Sequence, residues 1–201
     1  DWIVDDLLPT GLSLIGGAPK IGKSYFILKL IKDIIGNGGR AFYMAGEDSY
    51  WLLQSRLKQL SVGGRDFINH RGREAELSKP ENYLRVIEDI LSTIRCDAVF
   101  LDNMQMVLPA KLVRKDDYEY HYDHLPHWAR LAEKYKCAIV MVHHARKDNG
   151  QVHPNPLPSI LGSTAITGAC DTILVIQKSD DGQAYTLETL FYFEHLLENY
   201  Q

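Results

Sequence analysis

The stretch that decides the fold reads Gly17-Ala18-Pro19-Lys20-Ile21-Gly22-Lys23-Ser24. It matches the pattern G-x-x-x-x-G-K-[ST] completely, and it lies between a short apolar segment at residues 12–15 and a helical pattern at residues 25–35. A glycine-containing turn in that context aims backbone N–H groups at phosphate oxygens, and the positive end of the following helix adds to the attraction. The stretch therefore predicts a phosphate-binding loop, against the alternative of a turn that matches the pattern by accident.

The residue types within this loop predict separate contacts with a nucleotide. Gly22 allows a close approach of the backbone, the Lys23 ammonium reaches the β- and γ-phosphates, and the Ser24 hydroxyl ligates Mg²⁺. Lys20 adds a further positive charge, for which a solvated side chain is the alternative. ATP and Mg²⁺ are the predicted ligands. The predicted nucleotide-binding residues are the whole loop and the residue after it: Gly17, Ala18, Pro19, Lys20, Ile21, Gly22, Lys23, Ser24 and Tyr25.

The rest of the chain alternates short apolar segments with longer amphipathic ones. The further strand candidates are residues 41–45, 98–101, 138–142 and 172–176, and the further helix candidates are residues 49–60, 80–94 and 125–136. The strand candidates lack strict alternation, which is typical of strands buried on both faces of a parallel sheet. The order predicts an α/β domain with a mainly parallel sheet flanked by helices. Residues 178–183 and 184–190 predict an antiparallel hairpin at the sheet edge.

Length, charge and cysteine positions exclude several classes of protein. The chain has 201 residues, which is typical of one domain, and its net charge of −4 excludes nucleic-acid binding through a surface that is basic everywhere. It contains no apolar run of the roughly 20 residues that a membrane span needs. Cys96, Cys137 and Cys170 lie far apart beside apolar segments, which predicts buried thiols in a reducing cytoplasm rather than disulfides or a metal cluster. The residues that follow Asp1 do not form the basic and then apolar pattern of a signal peptide, so no signal peptide is expected there.

Two acidic side chains follow predicted strands. Asp102 ends the apolar segment at residues 98–101, where a carboxylate would hold Mg²⁺ through its water shell. The alternative is that Asp102 only caps the following loop. Glu47 follows the segment at residues 41–45 and is predicted to orient or deprotonate the attacking water. The alternative for Glu47 and for Asp48 is a favourable position near a helix N-terminus.

Histidines supply the remaining candidates. His143 and His144 end the strand candidate at residues 138–142, and only one of two adjacent side chains can face a nucleotide there. That side chain is predicted to sense the γ-phosphate; a structural role for both and a metal site are the alternatives. His121, His124 and His127 surround Pro126 and predict a solvated helix start, with metal binding as the alternative.

Together these residues resemble the RecA-like ATPases, in the branch of plasmid-encoded hexameric replicative helicases and their phage and bacterial relatives. The resemblance covers roughly residues 1–190 as one RecA-like domain and leaves residues 191–201 as an unassigned tail. It implies that Glu47 is the catalytic base and that His144, rather than His143, is the γ-phosphate sensor, with Lys23 as a third catalytic residue. Beyond the loop it rests on Trp2-Ile3-Val4, Leu8-Pro9-Thr10-Gly11, Gly46-Glu47-Asp48-Ser49, Leu53, Arg56-Leu57, the Asp102 strand, Val142-His143-His144-Ala145-Arg146-Lys147 and Gly162-Ser163.

The resemblance also implies a ring of six subunits, in which a basic finger from the neighbour completes each site. Here the chain departs from the family, because Lys178 stands at one position of that finger but Asp180 stands where an arginine is expected. Relatives line a DNA channel with the loops that correspond to residues 103–117 and 145–161. The basic residues in these two segments, for which solvated surface charge is the alternative, are Lys111, Arg114, Lys115, Arg146 and Lys147.

These observations lead to one hypothesis and two rivals. The hypothesis is Mg²⁺-dependent ATP hydrolysis coupled to translocation along, or remodelling of, single-stranded DNA by a helicase-like, cytoplasmic homo-oligomer of DNA replication or a mobile element. The first rival is an ATP-switched regulatory or scaffold module with slow turnover, which the missing arginine favours. The second is a kinase built on a phosphate loop, against which the lack of a recognisable lid or acceptor site counts.

Overall fold

The computed structural model describes residues 1–46, 48–69, 79–110, 116–144, 164–179 and 185–191. The strands in these ranges are β1 (Trp2–Val4), β2 (Leu8–Pro9), β3 (Gly11–Gly17), β4 (Ala41–Ala45), β5 (Phe67–Asn69), β6 (Ala98–Asp102), β7 (Ala138–His144), β8 (Thr172–Lys178) and β9 (Tyr185–Phe191). The helices are α1 (Lys23–Gly36), α2 (Tyr50–Leu60), α3 (Tyr83–Thr93), α4 (Met104–Val107), α5 (Asp117–Tyr135) and α6 (Thr164–Ala169), with a 3-10 turn at Pro80–Asn82.

Seven of the described strands form one sheet in the order β5-β4-β6-β7-β3-β8-β9. All neighbouring pairs are parallel except β8 and β9, which are antiparallel. The predicted fold class, an α/β core with a mainly parallel sheet and an antiparallel edge hairpin, is confirmed. The carboxyl ends of the parallel strands meet at one edge of the sheet, called here the carboxyl edge, and the amino edge lies opposite. Because β3 lies between β7 and β8, the loop after β3 leaves from the interior of the carboxyl edge.

Helices cover both faces of the sheet. On one face, called here the α1 face, alternate strand residues such as Tyr43, Phe100 and Val140 pack with Ile27 of α1 and Leu53 of α2. On the other face, the intervening strand residues pack with α3, α4 and α5. The parity of a strand position therefore sets the face on which its side chain lies. None of the helices in the described ranges is long and apolar enough to cross a membrane.

The region after β6 differs from its prediction. Helix α5 begins at Asp117 rather than at residue 125, because the Asp116 side chain accepts a hydrogen bond from the Glu119 N–H at 2.7 Å and caps it. Pro126 lies inside this helix instead of marking its start. The prediction of a solvated helix start was therefore wrong, and the side chain of His121 is buried. The predicted loop at residues 103–117 is also shorter, since α4 forms within it.

Candidate active site

The loop between β3 and α1 begins and ends at a glycine with a positive φ angle. Gly17 has a φ of +155°, and a Cβ built there would lie 2.7 Å from the carbonyl oxygen of Ile176 on β8. Gly22 has a φ of +104° and immediately precedes the first residue of α1. A side chain at Gly17 would collide with β8, and an L-residue at Gly22 would be strained. These two glycines therefore fix the path by which the chain turns from sheet to helix.

Lys23 is the first residue of α1, and its side chain turns back into the loop. Its Nζ donates hydrogen bonds to the carbonyl oxygens of Gly17 at 2.9 Å and Ala18 at 2.8 Å, and the residue is only 4% exposed. A cation at the amino end of a helix is repelled by the helix dipole, so the two carbonyl groups offset part of that repulsion. The ammonium and the helix end together create a positive potential that favours a phosphate anion.

The Ser24 hydroxyl and the Asp102 carboxylate meet at the carboxyl edge. Ser24 Oγ lies 2.6 Å from Asp102 Oδ2, and the Tyr43 hydroxyl of β4 lies 3.3 Å from the same oxygen. Asp102 is 4% exposed, and a buried carboxylate is stabilised when such donors satisfy it. Burial first, and then the negative charges of Asp102 and Asp48, raise the pKa of Tyr43 well above its ordinary value of 10.0. The phenol therefore keeps its proton and remains a donor.

This group of oxygens fits a magnesium ion. Mg²⁺ prefers hard oxygen ligands and keeps several of its waters, so one hydroxyl and one carboxylate beside a phosphate-binding loop are a suitable set. Ser24 directly follows Lys23 in the chain, and the 2.6 Å contact of its Oγ with Asp102 Oδ2 brings the carboxylate to the end of the loop. Ser24 and Asp102 are thus the residues that would hold the ion.

The end of β4 is held tightly against the end of β6. The Gly46 N–H donates to the carbonyl oxygen of Asp102 at 2.6 Å, and a Cβ on Gly46 would collide with Met106. The predicted base, Glu47, lies outside the described residues, but the residues on either side of it are placed. Asp48 forms an ion pair with Arg56 of α2, with side chains 12% and 27% exposed, respectively. This pair anchors the start of α2 beside Tyr43.

The two histidines of β7 lie on opposite faces of the sheet. In the register of β3 and β7, His143 is opposite Gly16 and His144 is opposite Gly17. Parity places His144 on the α1 face together with Val142, and His143 on the other face. Both side chains are half-buried. The structure therefore brings His144, rather than His143, to the face that carries the loop and Asp102.

Sequence reasoning missed a hollow beside the loop. It has a volume of about 520 Å³ and lies between the outer side of α1 and the edge hairpin. Its lining is mostly apolar and aromatic: Ile21, Gly22, Tyr25, Phe26, Lys29, Ile176, Tyr185, Thr186 and Leu187. The available signal was the pair of large apolar residues, Tyr185 and Leu187, at alternate positions of the edge strand.

A larger hollow lies at the other edge of the sheet. It has a volume of about 900 Å³, and its lining includes Gly11, Lys136 and Asp171 at the start of three strands. Its position, far along the strands from Lys23 and Ser24, separates it from the candidate site. The predicted basic contacts at residues 111–115 and 146–147 lie outside the described residues, as does Asp180, whereas Lys178 ends β8 with an exposed side chain.

Comparison with protein families agrees with this geometry. Residues 1–150, which include the loop, β4 and Asp102, match the family model described as AAA domain. The chain belongs to the AAA domain family. The prediction of a RecA-like P-loop ATPase is confirmed, and membership of this family supports ATP hydrolysis.

Among curated proteins, this AAA-family chain is similar to the DNA repair protein RadA. It is 21% identical to RadA of Listeria monocytogenes over 175 residues, which cover 85% of the chain and 34% of that protein. It is 29% identical to RadA of Aquifex aeolicus over 99 residues, which cover 49% of the chain and 20% of that protein. The chain thus spans about a third or less of the length of these relatives.

Two solved structures have a similar fold. The flagellar accessory protein FlaH from Methanocaldococcus jannaschii gives a TM-score of 0.61 at 17% identity, covering 94% of this chain and 82% of that one. The second, a solved ATPase domain, gives a TM-score of 0.62 at 11% identity, covering 92% of this chain and 82% of that one. At these identities the likeness concerns the fold alone.

Proposed function

We propose that this AAA-family domain hydrolyses ATP with Mg²⁺ and couples the cycle to translocation along, or remodelling of, single-stranded DNA, as a helicase-like protein of DNA replication or a mobile element. The contact between Ser24 Oγ and Asp102 Oδ2 at 2.6 Å, beside the Lys23 ammonium, carries the nucleotide part of this proposal. The relatives described as DNA repair proteins support the DNA part.

Each residue of the site has a distinct role in this proposal. Lys23 Nζ would exchange its carbonyl partners for oxygens of the β- and γ-phosphates and stabilise the negative charge of the transferred group. Mg²⁺, held by Ser24 and by Asp102 through water, would neutralise charge on the same phosphates. Glu47 would orient the attacking water and accept its proton. His144 would contact the γ-phosphate and respond to its loss.

The hollow beside the loop is the proposed position of the base and sugar. It begins at Ile21 and Gly22, so a nucleotide whose phosphates lie in the loop would extend directly into it. The rings of Tyr25 and Tyr185 line it and offer faces on which a base can stack. Phosphates in the loop and a base in the hollow would together account for binding of a whole nucleotide.

Assembly and DNA contact form the second part of the proposal. A homo-hexameric ring would bring the edge hairpin of one subunit, with Lys178, to the site of the next. The basic residues near 111–115 and 146–147 would contact DNA phosphates, which would make binding weaken as salt rises. A cytoplasmic location is proposed because Cys96, Cys137 and Cys170 are buried free thiols. The ATP-switched module with slow turnover is the second candidate, favoured by Asp180 at the expected arginine position.

The test is steady-state ATP hydrolysis with Mg²⁺, with and without single-stranded DNA, combined with a mass measurement under the same conditions. Glu47→Gln is the decisive variant, and Glu133→Gln, an exposed glutamate near the amino edge, is the matched control. Hydrolysis that rises with DNA in a ring-sized species and is lost only in Glu47→Gln supports the motor. Slow turnover by a monomer or dimer that ignores DNA would establish the switch instead.

The DNA part has a separate test. The double variant Arg146→Ala with Lys147→Ala should reduce stimulation by single-stranded DNA, and fluorescence anisotropy should show weaker DNA binding with a smaller salt dependence. The matched control is Lys32→Ala, which removes one exposed positive charge from α1. Equal stimulation in the double variant and in the control would contradict the proposed DNA contact.

A further inference from the structure

The Tyr43 hydroxyl is a polar group in the middle of a buried face. Tyr43 is 0% exposed and packs within the core of the α1 face, yet its hydroxyl lies 3.3 Å from Asp102 Oδ2. The register of β4 and β6 pairs Tyr43 with Phe100 and Ala45 with Asp102, so the phenol reaches diagonally toward the end of β6. Phenylalanine would fill the same space without the hydroxyl.

The Ser24 and Tyr43 hydroxyls, which both lie against Asp102 Oδ2, differ in the other contacts available to them. Ser24 is also the residue that would ligate Mg²⁺, and its side chain is only half-buried at the start of α1. Tyr43 is 0% exposed and its ring packs in the core of the α1 face, so the packing restricts movement of its hydroxyl. The terminal torsion of an aspartate is broad, and a fixed donor narrows its range. Tyr43 can therefore hold the carboxylate while Ser24 changes partners.

We propose that Tyr43 is a positioning residue for the metal-side carboxylate: its hydroxyl holds Asp102 Oδ2 so that Asp102 and Ser24 receive Mg²⁺ in a preformed arrangement. The inference rests on the proposed function, since it assigns a role at the same site. It is typical of metal sites that a residue bonded to a ligand group, rather than to the metal, sets the orientation of that group.

The test measures metal affinity rather than turnover. Tyr43→Phe and the wild type are titrated with Mg²⁺ in the presence of a fluorescent ATP analogue, and the affinity for the analogue is also measured with the metal removed by a chelator. The Mg²⁺ concentration at half-maximal response should rise about tenfold in Tyr43→Phe, which is the lower end for loss of such a partner. The metal-free affinity should stay within about twofold of the wild type, because the Tyr43 hydroxyl is directed at Asp102, whose proposed role is to hold the metal.

Tyr83→Phe is the matched control, because Tyr83 is 6% exposed and packs on the opposite face of the sheet. It should leave the Mg²⁺ midpoint unchanged, and thermal unfolding without nucleotide should show that both variants are folded. An unchanged midpoint in Tyr43→Phe, with a raised midpoint in Asp102→Asn, would overturn the role of Tyr43 and leave the proposed function standing. An unchanged midpoint in Asp102→Asn as well would overturn both. Equal weakening with and without metal would show that Tyr43 is merely structural and overturn its positioning role.

Discussion

Asp102 and Asp171 lie at opposite edges of the sheet, and the same type of side chain accepts different hydrogen bonds at the two positions. At the carboxyl edge, Asp102 accepts hydrogen bonds from side-chain hydroxyls, including that of Ser24 at 2.6 Å. Just before β8 at the amino edge, Asp171 accepts the backbone N–H of Leu12 at 2.8 Å and occupies the space that a Cβ of Gly11 would need. One aspartate joins side chains from different elements, and the other ties two strands together.

The difference lies in the donors. A hydroxyl group that donates a hydrogen bond still has lone pairs on its oxygen. It can therefore contact a carboxylate and a cation at the same time. A backbone N–H has no such second capacity, and its position is fixed by the strand. The carboxyl edge is therefore equipped to bind an ion and a phosphate, whereas the amino edge is equipped to hold β3, β7 and β8 in register.

The largest effect is expected when the cation of the carboxyl edge is removed. Lys23→Ala should lower ATP hydrolysis by about 10²–10³-fold, because the phosphate charge loses its closest positive group. Steady-state phosphate release measures this, and Lys32→Ala on an exposed position of the same helix is the control. Hydrolysis reduced less than about tenfold in Lys23→Ala would mean that the loop does not bind the transferred phosphate.

Exchanging each aspartate for alanine separates the two edges directly. Asp102→Ala should lower hydrolysis about a hundredfold while the protein stays folded, since an orienting and charge-holding group is lost. Asp171→Ala should keep hydrolysis per folded molecule and lower the free energy of unfolding by about 1–3 kcal/mol, because the Leu12 N–H loses its partner. Phosphate release and urea unfolding of both variants check this. Loss of hydrolysis in fully folded Asp171→Ala would contradict the assignment of a structural role to Asp171.

Most of the carboxyl edge could be predicted from the sequence. Ser24 and Asp102 are 78 positions apart, but each follows a recognisable strand, and parallel strands bring their carboxyl ends to one edge. The loop pattern requires glycine at positions 17 and 22, and the structure gives both a positive φ angle. Alternation along β7 predicts only that His143 and His144 lie on opposite faces, and the choice of His144 came from the family resemblance.

Other features carried no sequence signal. Tyr43 lies in an apolar strand, where a tyrosine that packs in the core and one whose hydroxyl reaches a carboxylate look the same. The start of α5 was missed because Pro126 indicated a boundary, whereas the cap at Asp116 begins the helix earlier. β5 and α4 have three and four residues, which is too short for a periodic pattern to be seen. The hollow beside the loop lies between β9 and α1, which are far apart in the sequence, so no local pattern could predict it.

Three thiols extend the comparison of the two sheet edges, because each of them precedes a strand at the amino edge: Cys96, Cys137 and Cys170. Burial raises the pKa of Cys96 from 9.0 to about 11 and that of Cys137 from 9.0 to about 12. At pH 8 the reactive thiolate fraction in the folded protein should therefore be about a hundredfold lower for Cys96, and about a thousandfold lower for Cys137, than in the unfolded chain, and reaction with a disulfide reagent should be correspondingly slower. Reaction with and without denaturant measures this, and equal rates would contradict it.

The same shifts predict the pH dependence of stability. Since both folded-state pKa values are raised, the protonated thiols contribute stability that is fully present below about pH 9 and is lost as pH rises toward 11 and 12. The melting temperature should therefore fall between pH 9 and pH 11. Cys96→Ala should reduce that fall, and an identical pH profile in the variant would show that other groups are responsible.

The smallest effects are expected at two ion pairs that differ in burial. The pair of Arg56 and Asp48 has side chains 27% and 12% exposed, whereas the pair of Arg85 and Asp89 on α3 has side chains 59% and 51% exposed. Arg56→Ala should lower the free energy of unfolding by about 1–2 kcal/mol, because the mostly buried Asp48 carboxylate then loses its partner.

Arg85→Ala should cost at most about 0.5 kcal/mol, because solvent and salt screen an exposed pair four residues apart on a helix. Urea unfolding at low and high salt compares the two variants, and only the Arg56 effect should persist at high salt. Arg56→Ala should also slow hydrolysis several-fold, since Asp48 adjoins the position of Glu47. If both variants lose equal stability and neither changes hydrolysis, the Asp48 pair is a surface feature and does not belong to the site.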